Sequence, residues 1–118
     1  VQALRILVVE DHPDTAEVLT EMLLALGHSA FMALDSETAL LLADKIEPQL
    51  AMVDLGLPRI DGFELALRLR KRFPALRLIG VTGFSPIPTC AGGARFDGMM
   101  LKPFDFDVVE SMVRESRI

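Results

Sequence analysis

Apolar and polar positions follow two rhythms along this chain, short unbroken apolar runs and longer stretches of helical spacing, and the two alternate. "LRILVV" (Leu4 to Val9) is nearly continuous, as expected of a strand covered on both faces. "DTAEVLTEMLLALGH" then switches to helical spacing, with Val18, Met22 and Ala25 beside Leu19, Leu23 and Leu26. Asp14 followed by Glu17 resembles a capping box, and Gly27 is placed to stop the helix. "SAFMA" predicts a second strand, and Glu37 to Glu47 a second helix, opened by Asp35 or Ser36 and closed by Pro48. "LAMVD" is the third strand. Asp61 with Glu64 opens a third helix that runs to about Phe73 and is ended by Pro74. "LRLIGV" and "GMML" supply strands four and five, and "DFDVVESMVRESR" a last helix with Val109, Met112 and Val113 facing inward.

One stretch breaks the rhythm. "GFSPIPTCAGGARFDG", between strands four and five, holds Pro86, Pro88, Gly92 and Gly93, all poor choices for a helix interior, so at most a short or frayed helix is expected there. Strands alternating with helices through short loops predict an α/β fold, a doubly wound parallel sheet with helices on both faces. In such a sheet ligands sit beyond the carboxyl ends of the strands, where the strand order reverses.

Composition narrows the class. A chain of 118 residues with 51% hydrophobic residues forms one domain with a real core. No apolar run approaches the roughly 18 residues of a membrane span, and no signal-peptide pattern opens the chain. Cys90 alone cannot form an internal disulfide, so a reducing cytoplasm is the expected location. A net charge of −5 argues against direct contact with nucleic acid by this domain, because phosphate backbones reward basic surfaces. The chain begins without Met and stops at Ile118, so a piece cut from a longer protein is expected.

Chemistry gathers at the strand ends. Strand one finishes at Glu10 and Asp11, strand three at Asp54 and strand four at Thr82, while Lys102 and Pro103 follow strand five. Strand two, expected at an edge, adds nothing comparable. Crowded carboxylates raise one another's proton affinity unless a cation joins them. Hard oxygen ligands in an incomplete cage suit Mg²⁺, which keeps several waters and takes a phosphoryl oxygen readily. His12 follows the acids, but a loop histidine with no second His or Cys nearby is expected to face solvent.

The strings "ILVVEDHPD", "MVDLGLPRIDGFEL", "IGVTGFS" and "MLKPFD" together resemble the receiver domain of two-component response regulators, over essentially the whole chain. The resemblance implies five parallel strands in the flavodoxin-like order 2-1-3-4-5. It makes Asp54 the phosphoacceptor, attacking the phosphorus of a phosphohistidine on a histidine kinase or histidine phosphotransfer protein. Asp11, Asp54 and the Gly56 backbone carbonyl would bind Mg²⁺, with Glu10 acting mainly through water. Lys102 would pair with Asp54 at rest and with the phosphoryl group afterwards, and the Thr82 hydroxyl would move toward that group. The Lys102–Pro103 bond becomes a cis candidate. Such a domain is a signalling switch, not an enzyme with an external substrate, and it works with a fused or separate output domain, or inside a hybrid kinase.

Two departures fall on the output side of the pattern. Receivers signal through the surface of helix four, strand five and helix five, and many carry an aromatic switch residue three positions before the lysine; here it is Met99. The segment from Thr82 to Lys102 is also a residue or two short, so phosphorylation is expected to reshape residues 84–97. Gly56 and Phe84, two places after Asp54 and Thr82, carry no side chain able to orient a water, which predicts slow self-dephosphorylation. Three alternatives compete. A flavodoxin-type flavin site is disfavoured because "EDHPD" would repel its phosphate. An aspartyl phosphatase of the haloacid dehalogenase type would need an acid at Gly56. The last is a degenerate receiver used only as a phosphorylation-independent interaction surface.

Overall fold

The computed structural model describes residues 3–56, 62–83, 90–91 and 94–115. Its elements run β1 (Arg5–Val9), α1 (Pro13–Ala25), β2 (Ser29–Ala33), α2 (Ser36–Ile46), β3 (Leu50–Asp54), α3 (Gly62–Arg72), β4 (Arg77–Thr82), β5 (Cys90–Ala91), β6 (Ala94–Arg95), β7 (Gly98–Leu101) and α4 (Phe106–Glu115). Five strands form one parallel sheet in the order β2-β1-β3-β4-β7, so β7 is the fifth strand of the expected 2-1-3-4-5 arrangement. Every residue of β3 is buried, while β2 at the edge buries only Ala33 fully. Each face of the sheet carries its own core. Leu7, Val9, Ala51, Val53 and Leu78 meet Ala39 and Ala43 of α2 and Leu65, Ala66 and Leu69 of α3. Ile6, Val8, Leu50, Met52, Ile79, Val81 and Met100 meet Leu19 and Leu23 of α1 and Val109 and Val113 of α4. Alternate residues of each strand serve opposite faces, which is why these strands read as unbroken apolar runs.

Helix ends follow local chemistry, with one correction. No capping box opens α1: its N-cap is His12, which makes no side-chain cap bond, and Pro13 starts the helix. Pro13 needs no donor there and already has helical φ, while Asp14 in the first turn suits the helix dipole. At the other end Gly27 takes φ of 93°, and the N–H groups of Gly27 and His28 donate to the carbonyls of Leu24 and Leu23. That paired closure needs a residue tolerant of the left-handed region. In α2 the Asp35 carboxylate accepts from the Thr38 N–H at 2.7 Å. The Arg5 side chain donates Nε–H to the carbonyls of Ile46 and Glu47, covering the C-terminal end of α2. Two of the apolar positions that give α1 its helical spacing, Val18 and Ala25, are exposed; the buried stripe is Ala16, Leu19 and Leu23. The sheet covers a narrower arc of α1 than its apolar positions span.

Between β4 and β7 no helix occurs among the described residues. Cys90–Ala91 pairs antiparallel with Ala94–Arg95 as a two-stranded ribbon, in a stretch where at most a short or frayed helix is expected from sequence. Phe96, just after the ribbon, packs edge-on against Phe63 of α3, ring centroids 5.7 Å apart. Asp97 then clamps the entry to β7. Its N–H donates to the Leu78 carbonyl at 2.7 Å, its carboxylate accepts from the Leu78 N–H at 2.8 Å, and Arg70 and Arg77 hold the same carboxylate. Pro86, Pro88, Gly92 and Gly93 lie outside the described residues, as does Asp61, expected to open α3. Among the described residues no helix is long and apolar enough to cross a membrane.

Candidate functional site

Parallel register brings the polar strand ends to one rim. Val9 pairs with Val53, so Glu10 and Asp54 stand side by side one step further on. Asp54 pairs with Val81, and Thr82 with Leu101, which places Thr82 and Lys102 next in line. Backbone bonds continue the sheet past its formal ends. Leu55 N–H donates to the Val81 carbonyl at 3.0 Å, and Lys102 N–H to the Thr82 carbonyl at 2.7 Å. The Lys102–Pro103 peptide is cis.

The side chains form a compact charged group. Lys102 Nζ lies 2.6 Å from Glu10 Oε1 and 3.4 Å from Asp54 Oδ2. Asp54 Oδ1 accepts from the Gly56 N–H at 2.9 Å, and Glu10 Oε2 from the His12 N–H at 3.3 Å. Asp54 is only 7% exposed, and Glu10 and Thr82 only 2% each. Burial, then the adjacent Asp54 carboxylate, push Glu10 up to about 7, despite the pull of Lys102. Burial also works against an ionised Asp54, but bonds from Glu10 and the Gly56 N–H, with the Lys102 charge, hold its carboxyl below the ordinary range. Lys102 is raised: its burial opposes the charge, and its bond to Glu10 and the nearby Asp54 outweigh that. The result is an Asp54 that gives up its proton more readily than usual beside a Glu10 that holds one more tightly.

One ammonium faces three acids, and the arrangement has an open polar position. Asp11 Oδ1 is buried with no hydrogen-bond partner. Glu10, Asp11 and His12 each place a ligand atom within 4.8 Å of the others, though the His12 side chain is exposed. A buried carboxylate oxygen without a donor is costly unless a cation meets it. Carboxylate donors at a partly open rim fit a hard divalent ion such as Mg²⁺. Gly56 is exposed in the turn after Asp54, within reach of the same rim, and Phe84 lies outside the described residues.

Two further features shape the site without having been singled out from the sequence. Gly62 opens α3 directly against the backbone that follows β3, where a Cβ would sit 2.5 Å from Leu55 Cα and collide with the Asp54 carbonyl. The signal was a glycine at a helix start, where better helix formers abound. Beside Lys102, the residues Asp14, Thr15, Val18, Pro103 and Phe104 line a groove of about 440 Å³, onto which the exposed Val18 faces. Met99, three residues before Lys102, lies next to Gly80 on the neighbouring strand.

The fold is a doubly wound α/β domain with acids, a hydroxyl and an ammonium gathered at the carboxyl rim of its parallel sheet. The sequence matches the response regulator receiver domain over residues 6–114, and the chain belongs to that family. It is 31% identical over 93% of its length to the DNA-binding dual master transcriptional regulator RpaA of Synechocystis, and 34% identical over 97% to the transcriptional regulatory protein TcrA of Mycobacterium tuberculosis. It is also 32% identical over 89% of its length to the sensor histidine kinase RcsC of Escherichia coli. The chain spans 47%, 46% and 11% of those three relatives. Among solved structures, NtrX of Brucella abortus superposes with a TM-score of 0.88 at 28% identity, covering 98% of this chain and 27% of that one. A CheY-like receiver domain protein of Methanospirillum hungatei gives 0.85 at 25% identity, covering 98% of this chain and 95% of that one.

Proposed function

We propose that this receiver domain is a Mg²⁺-dependent phosphoacceptor in a two-component phosphorelay, and that Asp54 takes the phosphoryl group from a phosphohistidine. The observation that carries this reading is the buried Asp54 carboxyl group held at the mouth of a strand end, with Oδ2 3.4 Å from the Lys102 ammonium. Asp11, Asp54 and the Gly56 carbonyl are the residues to hold the metal, with Glu10 behind them through water. When bound, Mg²⁺ supplies charge that draws in and stabilises phosphoryl oxygens. The chain's own groups do the rest. One Asp54 oxygen attacks phosphorus as the phosphorus–nitrogen bond of the donor breaks, and the imidazole leaves with that electron pair. Lys102 then follows the new negative charge, and Thr82 offers its hydroxyl from the end of β4. Such transfer depends chiefly on positioning and charge neutralisation, both of which suit a preformed ammonium and acid cluster.

The donor is a histidine kinase or a histidine phosphotransfer protein. The groove lined by Val18, Pro103 and Phe104 opens beside Lys102 and gives such a protein an apolar foothold next to the reacting atoms. The relatives' greater length supports a role for this domain beside a fused output or kinase domain. No observation favours the phosphorylation-independent alternative. Intact-mass measurement after incubation with Mg²⁺ and acetyl phosphate tests the proposal: one phosphoryl group should add to the wild type and none to Asp54→Asn. Absence of any gain in the wild type overturns it.

A further inference from the structure

His12 stands where a helix ordinarily recruits serine, threonine, aspartate or asparagine to receive its first N–H groups. It is the N-cap of α1, with extended backbone, yet its side chain makes no cap bond. Helix capping therefore does not account for this residue, and its imidazole is exposed. What lies beside it is the acid pair. One ligand atom from each of Glu10, Asp11 and His12 falls within 4.8 Å of the other two. Two ligands of one zinc-type ion, each about 2.1 Å from it, stand at most about 4.2 Å apart. A small rotation of the exposed ring closes the set.

Each acid has an oxygen to give. Glu10 Oε1 meets Lys102 Nζ at 2.6 Å, while Oε2 accepts the His12 N–H at 3.3 Å and so lies on the His12 side. Asp11 Oδ1 is buried with no hydrogen-bond partner, a position that calls for positive charge. Oxygen donors suit Mg²⁺, and an imidazole adds little for so hard an ion. For Zn²⁺ and its first-row neighbours imidazole is a favoured ligand. Three protein ligands with one position left for water is the form of an accessible zinc site. No second histidine or cysteine is needed, because the two carboxylates supply the other donors.

We propose that His12 adds a nitrogen ligand to the acid cluster, so that Glu10, Asp11 and His12 together take a transition-metal ion of the Zn²⁺ kind. Asp11 is common to this set and to the Mg²⁺ set, so the two ions exclude one another and the domain responds to which is present. The Mg²⁺ half of that competition rests on the phosphoacceptor reading, and the experiment separates the two. The chain has two histidines, and His28, at the far end of the sheet, is an internal control. Protein labelled with ¹⁵N-histidine is titrated with Zn²⁺, and the ring signals are assigned by His12→Ala. The His12 ring should shift until one equivalent is bound, while the His28 ring stays still. Isothermal titration should show Zn²⁺ binding weakened at least about tenfold in His12→Ala, the loss that follows removal even of a group supporting a ligand. Mg²⁺ affinity should be the same in both proteins, and saturation with Zn²⁺ should abolish Mg²⁺ binding to the wild type. A silent His12 ring, equal Zn²⁺ affinity in the two proteins, a parallel loss of Mg²⁺ affinity, or simultaneous binding of both ions overturns the inference and leaves the phosphoacceptor reading standing. Absence of both Mg²⁺ binding and mass gain from acetyl phosphate in the wild type overturns that reading, and the competition with it.

Discussion

Lys102 holds Glu10 more closely than Asp54, at 2.6 Å against 3.4 Å. The resemblance to receivers pointed to Asp54 as its resting partner, and the ammonium in fact spans both acids. A cation shared in this way helps hold the Asp54 carboxyl below the ordinary range, while its other oxygen accepts the Gly56 N–H. Replacing Lys102 with Met removes the sole ammonium of the cluster at similar length. Mg²⁺ affinity should then rise, because nothing competes for the acids, while the rate of phosphorylation by acetyl phosphate should fall about 100-fold, as for loss of one preorganised electrostatic contact. Isothermal titration and intact-mass kinetics read the two effects, and a parallel loss of both would contradict this division of roles.

Glu10 gives the metal-free protein a distinctive pH response. Its pKa in the folded state is raised to about 7 from an ordinary 4.5, so between those values the native state binds more protons than the unfolded chain. Stability from this group is therefore full below about pH 4.5 and is lost as pH rises toward 7. In EDTA the melting temperature of the wild type, measured relative to Glu10→Gln, should fall across that window. Saturating Mg²⁺ should suppress the fall by offsetting the crowded charge. A relative melting temperature that rises with pH in EDTA would show that Glu10 is not the strained acid of the cluster.

How much of this could be read from the chain alone depends on the range of the interaction. Strands β1, β3 and β4 were legible because burial on both faces makes each a continuous apolar run, and the acids ending β1 and β3 and the threonine ending β4 stood out against it. The edge position expected for β2 is the observed one, and Gly27 was legible as a helix stop because that signal is local. The Asp14 capping box failed because Pro13 had already begun the helix one residue earlier. The ribbon was out of reach for a different reason: proline and glycine content can veto a helix but cannot state what replaces it. Contacts made across strands were equally hidden. Nothing adjacent to Gly80 or Gly62 announces that Met99 or the Asp54 backbone will press against it.

Gly62 offers the sharpest steric test of the site's framework. The atoms a Cβ would strike belong to the backbone of Asp54 and Leu55, which cannot swing aside as a side chain can. Gly62→Ala should cost about 1–3 kcal/mol in chemical denaturation, the range for overpacking, despite the better helix propensity of alanine. It should also slow phosphorylation by displacing Asp54. Unchanged stability would mean that α3 does not start as tightly against β3 as the geometry indicates.

At the opposite end of the sheet, buried His28 accepts the Leu4 N–H at Nδ1, 3.0 Å away. His28→Leu roughly keeps the apolar volume and removes that acceptor. The unmet donor should cost about 1–3 kcal/mol, read as a lower denaturation midpoint, with phosphorylation unaffected because the site lies across the sheet. A midpoint equal to the wild type would show that water replaces the lost partner.

The central claim is that one particular carboxylate receives the phosphoryl group, and locating the modification tests it most directly. An acyl phosphate on aspartate is reduced by borohydride to homoserine, which peptide mass spectrometry places in the sequence. After Mg²⁺ and acetyl phosphate treatment, homoserine should appear at position 54 and nowhere else. Homoserine at Asp11, or a phosphorylated protein in which position 54 remains aspartate after reduction, would contradict the account.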